Sequence, residues 1–479
     1  MPFRWNPREH LSFTIYMLKW LLLLLPVSAA VGSACAFFLW SLDLVIRFRF
    51  EHPWMLYLLP LAGVFIAALY HYYGKSAEGG NNLIVEQIHQ PGGGVPKRMA
   101  PLVLIGTIAT HAFGGSAGRE GTAVQMGGSI ASAFCRLFRV GRHDTRTLLM
   151  AGVAAGFGAV FGTPLTGAVF AMEVLSLGRM NYEALIPCLI AGVLGDWTCT
   201  LWGIQHTQYH IALSADPHLN AGLMGKVLLA SVAFGLAGML FAEIAHGLQT
   251  LFKKLPWPLA RPVLGACIVI GLTFVLGTQD YLSLGVSSPD PNAVSILSSF
   301  KPGGAHAMSW FWKLLFTCVT ISSGFKGGEV TPLFFVGAAL GNSMARALNA
   351  PVDLFAGLGF VAVFSGAANT PLACTIMGIE LFGSEYTIYF AAACFVAYLF
   401  SGHSGIYLSQ RIGTPKSRHA PSNISLRSAR QAHPSIVDWL LKRPRPSDLK
   451  PVSRDEKEDP VSCKGSVSVE GIQKQDERK

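Results

Sequence analysis

Residues 114–134 read GGSAGREGTAVQMGGSIASAF, and the core of that run, Gly118-Arg119-Glu120-Gly121-Thr122, decides how the chain is read. One carboxylate, Glu120, stands among glycines at the start of an apolar segment. A helix start rich in small residues presents unpaired N–H groups and the positive end of the helix dipole, which together favour an anion. Glu120 is a tethered anion at such a place. A carboxylate that can occupy an anion site, leave it and take up a proton has the parts of a gate.

The surroundings are those of a membrane protein. Hydrophobic residues make up 51% of the 479 and charged residues 13%, where an ordinary soluble protein has about 25% charged. Mean hydropathy is +0.43. Glycine, at 51 residues, is frequent in transmembrane helices that pack closely. The first apolar run, from about Leu11 to Trp40, exceeds the ~7–15 residues of a signal-peptide core and reads as a membrane helix. The net charge of +10 comes largely from short connections and the two ends. That pattern predicts both termini in the cytoplasm rather than a nucleic-acid partner.

Several chemistries find no support. The nine cysteines lack CxxC or metal-type spacing, and most lie in apolar runs, so they read as small buried side chains. His111, His206, His210 and His218 have no ligand spacing. No HExxH and no GxSxG with suitable partners appears. The expectation is a non-enzyme with no metal and no cofactor.

Apolar segments fall near 12–47, 55–73, 99–116, 122–138, 147–176, 184–203, 222–252, 261–277, 308–324, 331–347, 354–366, 370–383 and 386–401. Several are shorter than the ~20 residues that span a bilayer. Some short ones open on glycine-rich or polar sequence: GGSAGREG, SGFKGGEV, GAANTPL. Broken helices are tolerated at membrane depth only when buried in protein or lining a polar cavity, and they point to a transporter's binding site. The segments predict an all-α polytopic chain. Residues 1–10 are a cytoplasmic N-terminus and 11–412 the transmembrane domain. Residues 413–479 read as a polar, disordered cytoplasmic tail with a short helix at 435–442.

The transmembrane region repeats. TPLTGAVFAMEVL at 163–175 aligns with TPLACTIMGIELF at 370–382, pairing Thr163 with Thr370, Pro164 with Pro371 and Glu173 with Glu380. GREGTAVQMG at 118–127 aligns more loosely with GEVTPLFFVG at 328–337. The halves run over about 11–205 and 220–412, and their interface is the expected site. Whether they are parallel or inverted is open at this point. Glu173 and Glu380, at matching positions, are expected to be structural and to stand at helix ends.

GREGTAVQMGGSIA resembles the GREGPxVQxG motif of the CLC family of chloride channels and anion–proton antiporters. GFKGGEVTPLFFVGAALG resembles that family's second-half GGxFxPxxxxG motif, and EGGNNLI at 78–84 falls where the family usually has GSGIP. The resemblance covers about 10–412. It implies an inverted repeat of two helical halves, a homodimer with one pathway per subunit, and anion sites built from helix starts. It implies that Glu120 gates, and that Asn81, Gly118, Gly121, Thr122, Val330, Thr331 and Tyr407 line or bind the anion. It also implies fluoride or chloride and protons as the transported species, in a bacterial inner membrane.

The departures narrow this further. Asn81 replaces the serine of GSGIP, Asn82 the next glycine and Ile84 its proline. Thr122 replaces the proline of GREGP. Glu329 and Val330 stand in the GGxF motif, so a carboxylate adjoins the second anion-facing loop. Val174 occupies the place of the internal proton glutamate of chloride–proton antiporters. Together these resemble the fluoride–proton antiporter branch. Fluoride is small and strongly hydrated, and stripping its water requires strong hydrogen bonds in return. Thr122 and Ile84 each restore an N–H that proline lacks, Thr122 adds a hydroxyl, and Asn81 offers an amide where serine offers one donor. The expected function is fluoride export in exchange for protons, with Glu329 as a second coupling acid. A chloride–proton antiporter or chloride channel of the same family is the alternative. The bland readings are Glu329 as a helix cap, Asn81 as a turn residue, and Tyr407 as an interfacial tyrosine.

Overall fold

The structure is a computed structural model and describes residues 7–212, 220–418 and 422–432. His218, Cys463 and the helix expected at 435–442 lie outside the described residues. Among the described residues, seventeen α-helices form and only two short strands. Four helical stretches are long and apolar enough to cross a membrane: Arg8–Glu51, Pro53–Tyr73, Tyr182–Leu201 and Ala221–Lys253.

Two sets of eight helices follow one another. The first comprises α1 (Pro7–Glu51), α2 (Leu59–Tyr73), α3 (Gly80–His89), α4 (Met99–Ala112), α5 (Glu120–Leu137), α6 (Arg142–Phe161), α7 (Pro164–Glu173) and α8 (Leu185–Leu201). The second comprises α9 (Ala221–Lys253), α10 (Ala260–Leu276), α11 (Ile296–Ser299), α12 (Ser309–Ser322), α13 (Val330–Leu348), α14 (Val352–Ala368), α15 (Pro371–Phe382) and α16 (Thr387–Phe400). Each set opens on its longest helix, has a short helix in third place, and ends on a short helix followed by a longer one.

Local chemistry sets the breaks. Gly162 ends α6 and Asn369 ends α14, both in the left-handed conformation, with φ of 71° and 57°. Glycine and asparagine are the residues that tolerate it at a helix end. The Thr-Pro pairs that follow restart the chain, with Pro164 and Pro371 in the first turn, where a missing N–H costs nothing.

The repeat is inverted, because equivalent residues meet head to head. Gly118 and Gly328 form an isolated antiparallel bridge. At the far end of the short helices, Glu173 closes α7 and accepts from the N–H groups of Leu372 (3.1 Å) and Ala373 (2.8 Å) at the start of α15. Glu380 near the end of α15 accepts from the N–H groups of Leu165 (2.9 Å) and Thr166 (2.8 Å) at the start of α7, and from the Thr166 hydroxyl (2.6 Å). Each half therefore caps the other's broken helix with its own carboxylate, which satisfies donors that a buried helix start would leave unpaired. Both glutamates are structural, as their repeat positions predict.

Helices beside the centre approach closely. A Cβ at Gly127 in α5 would lie 2.1 Å from the Gly152 carbonyl in α6, and one at Gly337 in α13 would lie 2.0 Å from the Gly359 carbonyl in α14. These are matching positions in the two halves. Contact at that range is open only to glycine, which explains part of the glycine content.

The expected tail boundary at 413 falls too early. Arg411–Ile412 pairs in parallel with Ser176–Leu177, and Leu426–Ala432 forms α17. Ile412 and Leu426 bury with Leu177 in a small cluster of their own. Two ion pairs hold α17: Arg430 to Glu243 of α9 at 3.0 Å and Arg427 to Glu86 of α3 at 3.6 Å. These partners are too distant in sequence to be read from composition.

Replacing Glu380 by alanine strands three donors at the start of α7 and is expected to cost about 1–3 kcal/mol. Thermal unfolding of the purified protein in detergent checks this: a lowered midpoint is expected, and an unchanged midpoint would refute the capping role.

Candidate anion site and gate

The two glycine loops that meet at the Gly118–Gly328 bridge deliver two helix starts to one place. Glu120 is the first residue of α5, and Val330 is the first of α13. The Glu120 side chain is fully buried. Its Oε2 accepts from the N–H of Arg119 at 3.1 Å and from the N–H of Thr331 at 3.0 Å. Its Oε1 accepts a short hydrogen bond from the Thr331 hydroxyl. The Arg119 Nε stands 3.5 Å from Oε1. A carboxylate with donors on both oxygens, between two positive helix ends, occupies an anion site in its own structure. Thr331 therefore holds the Glu120 carboxylate directly, with one donor from its backbone and one from its side chain.

Gly118 differs from expectation. Its N–H donates to the Gly328 carbonyl at 2.6 Å, and its carbonyl accepts from the Gly328 N–H at 2.7 Å. Both polar groups are spent on the bridge, so Gly118 has no N–H left for an anion. Its role is to hold the loops together. Gly121 lies where groups from three loops converge. A Cβ there would lie 3.0 Å from the Asn81 Nδ2, 3.0 Å from the Gly328 Cα and 3.7 Å from the Glu329 Oε2. Only a residue without a side chain lets those groups converge.

Thr122 is partly redirected. Its hydroxyl pairs with the Thr107 hydroxyl of α4 at 2.7 Å. One hydroxyl donates to the other, which leaves one hydrogen for a further acceptor. Thr107 was missed in the sequence, because nothing local marks a threonine in an apolar helix as a partner.

Two acceptors near Gly121 are stranded. Glu329 is half-buried, yet its Oε2 is enclosed and without a hydrogen-bond partner, as is the Asn81 Oδ1. Glu329 sits at the N-cap position of α13 but makes no side-chain cap hydrogen bond. The bland reading of Glu329 as a cap therefore fails. Asn82, by contrast, is structural. Its Oδ1 accepts from the Ser409 N–H at 2.9 Å and anchors the loop that carries Tyr407.

The chain matches the voltage gated chloride channel family over residues 62–402. A chloride/fluoride channel protein of Pseudomonas syringae pv. tomato is 46% identical over 431 residues, spanning 89% of this chain and 94% of that one. The chain belongs to the CLC family. The crystal structure of a CLC-type fluoride/proton antiporter superposes with a TM-score of 0.77 at 34% identity, covering 82% of this chain and 98% of that one. A slow cyanobacterial Cl-/H+ antiporter superposes with a TM-score of 0.67 at 20% identity, covering 80% of this chain and 94% of that one, and shows the shared fold. Like its relatives, this CLC protein is a multi-pass, all-α membrane protein.

Tyr407 is buried and packs edge-on against Phe170 at 6.3 Å. Its loop is held by the Ile406 N–H on the Ala367 carbonyl at 2.9 Å. Val330 is buried at the first position of α13. Val174 is buried at the end of α7 and supplies no carboxylate beside the Glu173 cap. Of the four histidines, His206 faces Asp196 at 3.6 Å, and His111 is buried with neither ring nitrogen partnered. No group of metal-ligating side chains occurs among the described residues.

Hydrogen bonds to charged groups contribute ~1.5–3 kcal/mol each. Thr331→Val removes the hydroxyl that holds Glu120 in place, so a mobile anion should displace the carboxylate more readily. The half-saturating anion concentration in liposome efflux is expected to fall by roughly tenfold. An unchanged value would show that this hydrogen bond does not hold the gate.

Proposed function

We propose that this CLC protein exports fluoride in exchange for protons, with Glu120 alternating between anion mimic and proton carrier. The observation that carries the reading is the Glu120 carboxylate bound by Thr331 at the meeting point of two helix starts. Deprotonated, it fills the site and excludes the anion. Protonated, it loses its charge and with it most of its hold on N–H donors, so the anion takes its place. One group cannot do both at once, and that exclusion couples outward fluoride to inward protons.

Anion preference rests on the lining. Fluoride requires dense donors to replace its water. The N–H groups of Gly121, Thr122, Val330 and Thr331, the Asn81 amide and the Tyr407 phenol form that set. Each becomes available as Glu120 leaves or as the loops adjust. The similarity to a fluoride/proton antiporter structure and to a chloride/fluoride channel protein supports this reading over chloride–proton exchange. Glu329 has a part that a chloride site would not need. A buried carboxylate oxygen with no donor is costly while ionised, and a proton on it would supply a donor to the arriving anion or to Glu120. Glu329 is thus the second coupling acid, in place of the acid absent at Val174. Arg119 positions the loop.

The same reading places the protein in a bacterial inner membrane, with residues 1–10 and the chain beyond 412 in the cytoplasm. It also makes the working unit a homodimer with one pathway per subunit. The exposed apolar residues Trp197 and Leu201 of α8 and Ile388 and Leu399 of α16 suit lipid or a second copy.

Liposome efflux of fluoride and chloride, recorded with pH, tests the function. The unmutated protein should pass fluoride much faster than chloride and move protons with it. Glu120→Gln, which keeps the shape but cannot change charge, should abolish proton movement. Equal rates for the two anions would overturn the fluoride reading, and proton movement surviving in Glu120→Gln would overturn the role of the gate. Asn81→Ser returns the site to the single-donor arrangement and should reduce the fluoride-to-chloride rate ratio by about tenfold, the worth of one net hydrogen bond of ~1.4 kcal/mol. A ratio unchanged by that substitution would remove Asn81 from the selective lining.

A further inference from the structure

The repeat allows two surfaces of the molecule to be compared residue by residue. The connection that leads into α4 runs beside the end of α5, and its counterpart leads into α12 beside the end of α13. Arg136 near the end of α5 donates to the Val95 carbonyl at 3.4 and 3.3 Å, and Arg346 near the end of α13 donates to the Ala305 carbonyl at 2.9 Å. Both helices close alike: the Val140 N–H returns to the Cys135 carbonyl and the Ala350 N–H to the Ala345 carbonyl, each at 2.9 Å. Around this shared frame the charges differ. Lys97, Arg98, Arg139 and Arg142 stand where the second half has Ala307, Met308, Asn349 and Val352. The turns do not need those four cations, because the same turns form without them.

All four are exposed. Residues 90–98 and 136–142 contain no acid. The acids nearest in the chain have other partners: Asp144 pairs with Lys19 of α1, Glu183 with His143 at 3.0 Å and Glu86 with Arg427 at 3.6 Å. Glu78 is exposed in the turn before α3, three residues after Lys75. Among the described residues none of the four cations enters an ion pair. Arg98 gives one Nη1 donor to the Tyr73 carbonyl at 3.2 Å. Beside them, Leu137 is 69% exposed and Phe138 41%, and Tyr72 and Tyr73 are exposed at the end of α2. Aromatic side chains at a helix end mark the depth of the lipid headgroups. Arg139 has a further peculiarity. Its φ is 52°, the left-handed conformation that glycine or asparagine usually takes after a helix and that Asn349 takes in the second half. A charged side chain held there costs stability. Orienting a membrane chain needs cations somewhere in such a connection, not at its least tolerant position.

We propose that Lys97, Arg98, Arg139 and Arg142 bind the phosphate headgroup of an anionic phospholipid of the surrounding bilayer, with Leu137 and Phe138 against its acyl chains. Guanidinium groups meet phosphate oxygens through paired, charge-assisted hydrogen bonds. Basic clusters at the ends of membrane helices recognise anionic headgroups in this way. The exposed apolar pair adds a contact that a soluble phosphate cannot use. The Lys19–Asp144 pair puts the surface at the end of α1 where the chain begins. With the cytoplasmic N-terminus proposed above, the lipid belongs to the inner leaflet. The binding itself does not rest on the transport reading.

Native mass spectrometry of the full chain, delipidated in detergent, reads the binding directly with dioleoyl phosphatidylglycerol and dioleoyl phosphatidylcholine. The wild type should hold phosphatidylglycerol at least about tenfold more tightly than phosphatidylcholine. One cation beside a headgroup contributes about fivefold, so Arg139→Gly should weaken phosphatidylglycerol by about that factor and leave phosphatidylcholine unchanged. Glycine relaxes the left-handed position, so the thermal midpoint of Arg139→Gly should be unchanged or raised. The fourfold variant Lys97→Gln, Arg98→Gln, Arg139→Gly, Arg142→Gln should bind the two lipids equally. If it does not fold, Arg139→Gly decides. Equal binding of the two lipids by the wild type, an unchanged phosphatidylglycerol affinity in Arg139→Gly, or a lowered midpoint in that variant would overturn the proposal. So would displacement of the lipid by millimolar inorganic phosphate, which would show a site for soluble anions. Each of these leaves the fluoride–proton reading standing, because that reading is tested by flux.

Discussion

Thr331 of the second half gives both its N–H and its hydroxyl to the Glu120 carboxylate of the first, and the arrangement of the two halves follows from that contact. The donors must approach from a helix start, because only there are backbone N–H groups unpaired. Two such starts can meet only if two helices break inside the protein and point at one another. The Gly118–Gly328 bridge sets their spacing, and each glycine spends its own N–H and carbonyl to do so.

Breaking helices inside a membrane protein creates orphan donors elsewhere as well. The Glu173 and Glu380 caps answer that cost at the starts of α15 and α7. The same inverted symmetry that joins the two loops at the site thus joins the two short helices away from it. One pair of carboxylates is locked by matched N–H groups and serves the structure. The pair nearer the path differs: Glu120 has donors from both halves, while the Glu329 Oε2 has none. That asymmetry leaves one acid held in place and the other with an unsatisfied oxygen, the two states that the proposed exchange would use.

Much of this was legible in the sequence because it is encoded locally. Glycine around a single acid marked the buried carboxylate Glu120, Thr-Pro pairs marked the helix restarts, and the repeat marked the two halves and the structural acids. Four features were not. The bridge that consumes the Gly118 N–H, the Thr107–Thr122 pair, the anchoring of α17 by Glu243 and Glu86, and the burial of Arg49 against Gln279 and of Lys313 against the Tyr281 and Ser283 carbonyls all depend on partners brought together by the fold. Arg49 and Gln279 are 230 positions apart. A lysine inside the apolar run of α12 was the one local sign that a charge lay buried there. The tail boundary was misplaced for a related reason, since α17 is polar in composition and is held by ion pairs and a small cluster rather than by an apolar face.

The central claim is that one carboxylate alternates between the anion's place and a proton, so that each species can be driven by the other. Its most direct test is uphill movement. Liposomes holding the protein are given equal fluoride inside and outside, a pH gradient is imposed with the membrane potential clamped, and fluoride is followed by electrode. The account predicts net fluoride movement toward the side from which protons flow, against the concentration difference that builds up, and reversal when the gradient is reversed. Fluoride that stays at equilibrium while the pH gradient persists, or that moves only with the electrical potential, would contradict it.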